Sequence, residues 1–159
     1  MEIRDGLGLS PRKVTYLKYI AESGGAVRTS ELAARFGVDP STVTKTLGEL
    51  AGAGLLSLIP YHGASLSPAG QEYAGFCTKR HRILALALTH FGLSDEEACT
   101  EASRFESLVS KDAIDRMCRA MGHPQNGACG AITHDTGCLG AGTARLNPIR
   151  PAPEQGEQS

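Results

Sequence analysis

Before Gly54, apolar residues recur at helical spacing in three successive stretches. Val14, Leu17 and Ile20 follow Ser10-Pro11, a cap-and-proline start, and Gly24-Gly25 closes that helix. Leu32, Ala33 and Phe36 turn inward from a second helix capped by Thr29 or Ser30, which Gly37 breaks. Asp39-Pro40 opens a third, whose buried stripe is Val43, Leu47 and Leu50. Past Gly54, a natural residue to follow a helix end, the pattern shortens. Leu55 to Ile59 reads as an apolar strand, Pro60-Tyr61-His62-Gly63 as a bend, and Ala64 to Leu66 as a return strand. Helix, turn, helix and wing together predict a winged helix-turn-helix, a device that lays one helix in the major groove of DNA.

The rest of the pattern is helical and then irregular. Ser67-Pro68 opens a long helix to about Phe91, with Tyr73, Phe76, Ile83, Leu84, Leu86 and Leu88 as its apolar content. Its segment ILALAL is apolar nearly all round, which points to burial on more than one side and to a subunit interface. Ser94-Asp95-Glu96-Glu97 starts the next helix, to about Val109, and Ser110-Lys111-Asp112 another, ending near Met121-Gly122. After His123-Pro124 the chain is rich in Gly, Pro, Ala and Thr without helical periodicity, and the closing PAPEQGEQS is expected to be disordered. Residues 1–9 are expected to fray. The pattern predicts a mainly α chain: residues 1–66 a winged helix-turn-helix DNA-binding domain, 67–123 a helical dimerisation and metal-binding domain, 124–159 a loop-rich tail containing Cys and His.

Composition adjusts this picture only in places. In 159 residues the apolar content is 41% but aromatics are 5% and Trp is absent, so the core should be aliphatic. The net charge is −1, with nine basic and seven acidic residues up to Arg80 and seven and ten beyond it. That excess supports nucleic-acid binding only slightly. No stretch has the layout of a signal peptide and none is long and apolar enough to span a bilayer, so a cytoplasmic protein with no membrane partner is expected. There the five cysteines should stay reduced or bind metal rather than form disulfides. No phosphate loop or oxyanion-hole motif accompanies them, which argues against an enzyme and against a small organic substrate.

On the third helix the buried stripe leaves Ser41, Thr42, Thr44 and Lys45 outward near its N-terminus, where a recognition helix contacts bases and phosphates. Arg28 and Thr29 at the start of the unit, and Tyr61 and His62 at the wing tip, complete the candidate DNA-contacting set. The alternatives are a polar solvent face for the helix and plain loop exposure for His62.

VTYLKYI, DPSTVTKTL, GLL, LSPAGQEYA, KRHRIL and EASRFESLVS, in that order, resemble the diphtheria toxin repressor family of metal-dependent transcriptional regulators. DPSTVTKTLGELAGAGLL is most similar to its manganese-sensing branch. The resemblance covers about residues 10–122. It implies a winged helix followed by a helical dimerisation domain, with no SH3-like domain. It also implies a homodimer that binds a palindromic operator in double-stranded DNA when divalent Fe or Mn is present. The family's ligand positions are altered here. The first-helix acid or Met is matched by Thr15, with Lys18 one turn on. The C-x-x-E-H or E-x-x-E-H element is Ser103-Arg104-Phe105-Glu106-Ser107, the acid after His81 is Ala85, and a further His is Cys99.

Carried over, the family's sites leave His81, Cys99 and Glu106 as metal ligands. Cys99, Ser103 and Glu106 fall at i, i+4 and i+7, on one face of a regular helix. Cys77 and His81 form an i, i+4 pair outside the family pattern. A Cys77/His81/Cys99 site would suit Zn or Fe(II), whereas the alternative for Cys77 is a small buried hydrophobe. Cys118, His123, Cys129, His134 and Cys138 crowd the loop-rich stretch and could hold Zn or an iron–sulfur cluster. The expected function is therefore a metal-responsive regulator of metal homeostasis, a repressor as the resemblance implies, or alternatively a thiol- or iron–sulfur-based redox sensor that has lost the usual metal site.

Overall fold

Capping side chains and prolines set most of the helix starts. The computed structural model describes residues 5–140. Helix α1 (Pro11–Ser23) begins on its proline. α2 (Thr29–Phe36) has Arg28, not Thr29 or Ser30, at its N-cap, without a side-chain cap. α3 (Pro40–Gly52) is capped by Asp39, α4 (Pro68–Thr89) by Ser67, and α6 (Lys111–Ala120) by Ser110. α5 (Asp95–Phe105) carries a full capping box between Ser94 and Glu97. Strands β1 (Leu56–Ile59) and β2 (Gly63–Leu66) pair antiparallel as the wing, and Val27 bridges to Ala64. A hairpin of β3 (Asn126–Gly127) and β4 (Gly130–Ala131) and a short helix α7 (Thr136–Gly140) lie in the stretch read as irregular. Short elements rich in glycine have too few residues to show a period. PAPEQGEQS lies outside the described residues.

Two apolar clusters meet along α4. The first joins Val14, Leu17 and Ile20 to Leu32, Val43, Leu47, Leu50, Leu55, Ala64 and Tyr73. The second gathers Ile83, Leu84 and Ala85 with Ala98, Ala102, Ile114, Ile132 and the sulfurs of Cys118 and Cys138. Ile83, Leu84 and Ala85 of the continuous apolar run are thus used within the chain, where α4 packs against α5 and α6. Leu86 and Leu88 remain half-buried, and Phe91 beyond the helix is 71% exposed.

The segment before α1 is packed from residue 5 onward, contrary to the expected fraying. The Lys111 amide donates to Asp5 O at 2.8 Å and the buried Arg80 guanidinium donates to Gly6 O at 2.7 Å. Gly6 lies against the Phe76 ring, where a Cβ would come within 2.4 Å of ring carbon Cε1. A buried guanidinium must find acceptors, and the backbone of this segment supplies one.

Gly70 marks the tightest approach of α4 to the wing: a Cβ there would sit 1.9 Å from the Leu55 carbonyl oxygen. Gly75, on the same helix, has open space around its Cα. Gly70→Ala should therefore destabilise the fold by about 1–3 kcal/mol or more. Gly75→Ala should stabilise it by roughly 0.4–1 kcal/mol. Urea unfolding midpoints of the two variants should move in opposite directions.

Candidate DNA-binding surface and metal sites

The N-terminal turn of α3 is held by its own hydroxyls. Asp39 Oδ1 accepts from the Ser41 amide at 2.8 Å and from Ser41 Oγ at 2.5 Å, bonds that hold the Asp39 carboxyl below its usual range. Thr44 Oγ1 donates to Pro40 O at 2.9 Å. The protons of both hydroxyls are thus used within the helix, and their oxygens remain as acceptors facing out. Thr42 is half-buried, while Lys45 and Arg28 are exposed cations. A groove of about 550 Å³ runs between α3 and the wing, lined by Arg28, Thr29, Thr44, Leu58 and Tyr61 among others. Tyr61, at the tip with φ 63°, is 98% exposed, and His62 beside it is also exposed.

Behind this reader, Glu106 links the two apolar clusters. Its Oε1 accepts from Lys18 Nζ of α1 at 2.6 Å, and its Oε2 meets His81 Nδ1 of α4 at 2.5 Å. Burial raises the carboxyl's pKa, but the bonds from His81 and Lys18 outweigh it and hold the group below the usual carboxylate range. The helical face expected for Cys99, Ser103 and Glu106 is interrupted. α5 ends at Phe105, and Glu106–Leu108 form a tighter 3₁₀ turn. Ser103 donates to its own helix at Cys99 O and, with Lys18 and Glu106, lines a cavity of about 280 Å³ against α1.

With Nδ1 engaged by Glu106, His81 keeps Nε2 for another partner. Ligand atoms of His81, Cys99 and Cys129 lie within 4.8 Å of one another. Cys129 comes from the turn of the β3–β4 hairpin, which Arg82 of α4 holds by donating to Ala131 O. Burial, then the neighbouring Cys129, pushes the Cys99 thiol up to about 11. One imidazole and two thiols fit Zn(II) or Fe(II) and do not fit Mn(II), which prefers oxygen donors. Cys77 is not brought to this group. It is fully buried, 3.9 Å from Arg80 Nη2, and burial pushes its thiol up to about 11. Cys77 and His81 lie one turn apart on α4, but the Cys77 thiol is turned into the core beside Arg80 while His81 Nδ1 meets Glu106.

The remaining Cys and His residues converge on one point. Ligand atoms of Cys118, His123, His134 and Cys138 lie within 4.8 Å of one another. Cys118 Sγ is 3.6 Å from His123 Nδ1 and 3.4 Å from His134 Nδ1, and Cys138 Sγ is 3.4 Å from His123 Nδ1. Local structure explains the convergence. The end of α6 is a Schellman turn, in which the His123 amide bonds Cys118 O at 2.9 Å and the Gly122 amide bonds Arg119 O at 3.0 Å. That turn folds His123, at φ 54°, back over Cys118. At α7, Asp135 Oδ1 accepts from the Cys138 amide at 2.7 Å. His134 and Cys138 were noted in the sequence only as part of a crowded stretch. Their i, i+4 spacing was the signal available, and it needed the hairpin to bring it to Cys118.

Comparison with known proteins follows the same division of the chain. Residues 8–64 match the family described as iron dependent repressor, N-terminal DNA binding domain, and residues 67–132 match iron dependent repressor, metal binding and dimerisation domain. The transcriptional regulator MntR of Salmonella typhimurium is 37% identical over 91 residues, covering 57% of this chain and 58% of that protein. The chain thus spans less than two thirds of the length of that regulator. The HTH-type transcriptional regulator MntR of Geobacillus kaustophilus is 31% identical over 111 residues, 68% of this chain and 79% of that one. The crystal structure of ScaR with bound Zn2+ superposes with a TM-score of 0.68 at 27% identity, covering 77% of this chain and 59% of that one. With both halves of the described fold matched in order, the chain belongs to the iron-dependent repressor family, the family of the diphtheria toxin repressor.

Proposed function

We propose that the chain acts as a homodimeric transcriptional repressor of metal homeostasis, binding a palindromic operator in response to a thiophilic divalent metal. The observation that carries this reading is the bridge Lys18–Glu106–His81, which joins α1 of the DNA-binding half to a group of metal-binding character. Zn(II) or Fe(II) would be held by His81, Cys99 and Cys129, where it would supply a positive charge and a fixed geometry. Glu106 then serves as the carboxylate that orients the ligating imidazole rather than as a ligand. Any turn of the His81 ring is felt at Glu106, and through Lys18 at α1, which packs under α2 and α3. ScaR, a structural relative, has been seen with bound Zn2+. Two recognition helices related by a twofold axis would read two half-sites, and the partly exposed Leu86, Leu88 and Phe91 offer apolar surface for pairing.

The proximity of Cys99 and Cys129 favours a second reading, a thiol switch at the same place. Hydrogen peroxide would take two electrons and both thiol protons from the pair, joining the sulfurs while its own O–O bond breaks to give two waters. Thiol counting before and after peroxide treatment, alongside operator affinity, separates this from metal control.

Three outcomes test the proposal. Lys45→Ala should weaken binding to all duplexes alike and lower the slope of log affinity against log salt by about 0.9 per protomer. In operator titrations with protein prepared without air, Zn(II) or Fe(II) should raise affinity at least tenfold, an on-the-order-of 1.4 kcal/mol effect. Mn(II) at equal concentration should not, and Cys99→Ser should abolish the response. A Mn(II) response equal to that of Zn(II) would overturn the assignment of the ligands. Glu106→Gln should keep metal binding, measured by equilibrium dialysis, yet bring the metal-induced change in operator affinity close to none.

A further inference from the structure

We propose that Cys118, His123, His134 and Cys138 form a closed tetrahedral zinc site that pins the segment after α6 to the helical domain, separate from the His81 group. Zinc bonds of about 2.3 Å to sulfur and about 2.0–2.1 Å to nitrogen place neighbouring S and N donors of a tetrahedron about 3.5 Å apart. Three of the four S–N separations here are 3.6, 3.4 and 3.4 Å, and the fourth lies within 4.8 Å. Two thiolates and two neutral imidazoles would cancel the charge of Zn(II), which suits a site where both sulfurs are fully buried.

The surrounding groups favour the metal-binding forms of these ligands. His134 Nε2 lies 3.0 Å from Pro124 O, and a carbonyl only accepts, so Nε2 carries the proton and Nδ1 presents its lone pair to the centre. Lys79 Nζ, bonded to Asp115 at 2.9 Å, places a cation near Cys138, a sulfur that must ionise. Asp135 fixes the Cys138 amide and pairs with Lys111 at 3.1 Å. All four positions of the tetrahedron are filled by the chain, leaving none for an exchanging ligand, and this is the mark of a structural site.

The segment needs such a crosslink. Between His123 and Cys138 only Ile132 and Cys138 are buried apolar residues, and the hairpin has two residues in each strand. His123 and His134 sit on either side of that hairpin, so an ion held between them ties its base, while its turn carries Cys129 towards His81 and Cys99. This consequence for Cys129 rests on the proposed function; the zinc site itself does not.

The test uses the full chain purified without air, with zinc counted by mass spectrometry after dialysis against a mild chelator. One zinc per chain should remain, and it should be lost in Cys138→Ser and in His134→Ala but kept in Cys99→Ser. His134→Cys should restore a metal site. Its Co(II) derivative should show tetrahedral visible bands and a stronger sulfur charge-transfer band than the wild-type derivative, which guards against simple misfolding of the first two variants. Retention of the zinc in Cys138→Ser, its loss in Cys99→Ser alone, or a wild-type Co(II) spectrum without tetrahedral bands would each overturn the site. A chain that keeps this zinc but shows no metal effect on operator binding would leave the site standing and defeat the proposed function instead.

Discussion

A buried carboxylate between a lysine and a histidine ties the two halves of this protein together. Glu106 has only 9% of its side chain exposed, and an ion so placed is costly unless its oxygens are matched. Both are: one by Lys18 from α1, the other by His81 from α4. Because the 3₁₀ turn after α5 delivers the carboxylate, the dimerisation half cannot shift against α1 without breaking a charge-assisted bond. The cavity beside it is lined by Thr15, Lys18, Ser103 and Glu106.

With Lys18 against Glu106, the thiols and imidazoles lie on the far side of His81 and around the end of α6. Both groups depend on the segment that follows Gly122. Its Schellman turn returns His123 to Cys118, its hairpin offers Cys129, and Asp135 aims Cys138. The donor set is sulfur and nitrogen throughout, which separates this chain chemically from a manganese site of carboxylates. A family fold is kept, and a few side chains and one short hairpin gather these donors within it.

The readable parts of the chain were those whose signals are local. Asp39-Pro40 with the Val43, Leu47 and Leu50 stripe, and the apolar strands of the wing, each announce their own element within a few residues. The fraying expected before Ser10 is not seen from residue 5 onward, because Gly6 is held by Arg80 and Phe76, far along the chain, and Leu9 is buried in the first apolar cluster. The Cys77/His81 pairing failed for a similar reason. Spacing along α4 was right, but Cys77 points into the core beside Arg80 while His81 faces Glu106.

By itself the sequence determined the winged helix, the three helices behind it and the family, since periodicity, caps and motif order are written in neighbouring residues. Only the tertiary structure decided that Lys18 meets Glu106 across 88 positions. It also decided how the five cysteines divide: one into the core, two with His81, and two with His123 and His134. A donor's identity is a property of one residue, but coordination is a property of distances between residues, and those exist only after the chain has folded.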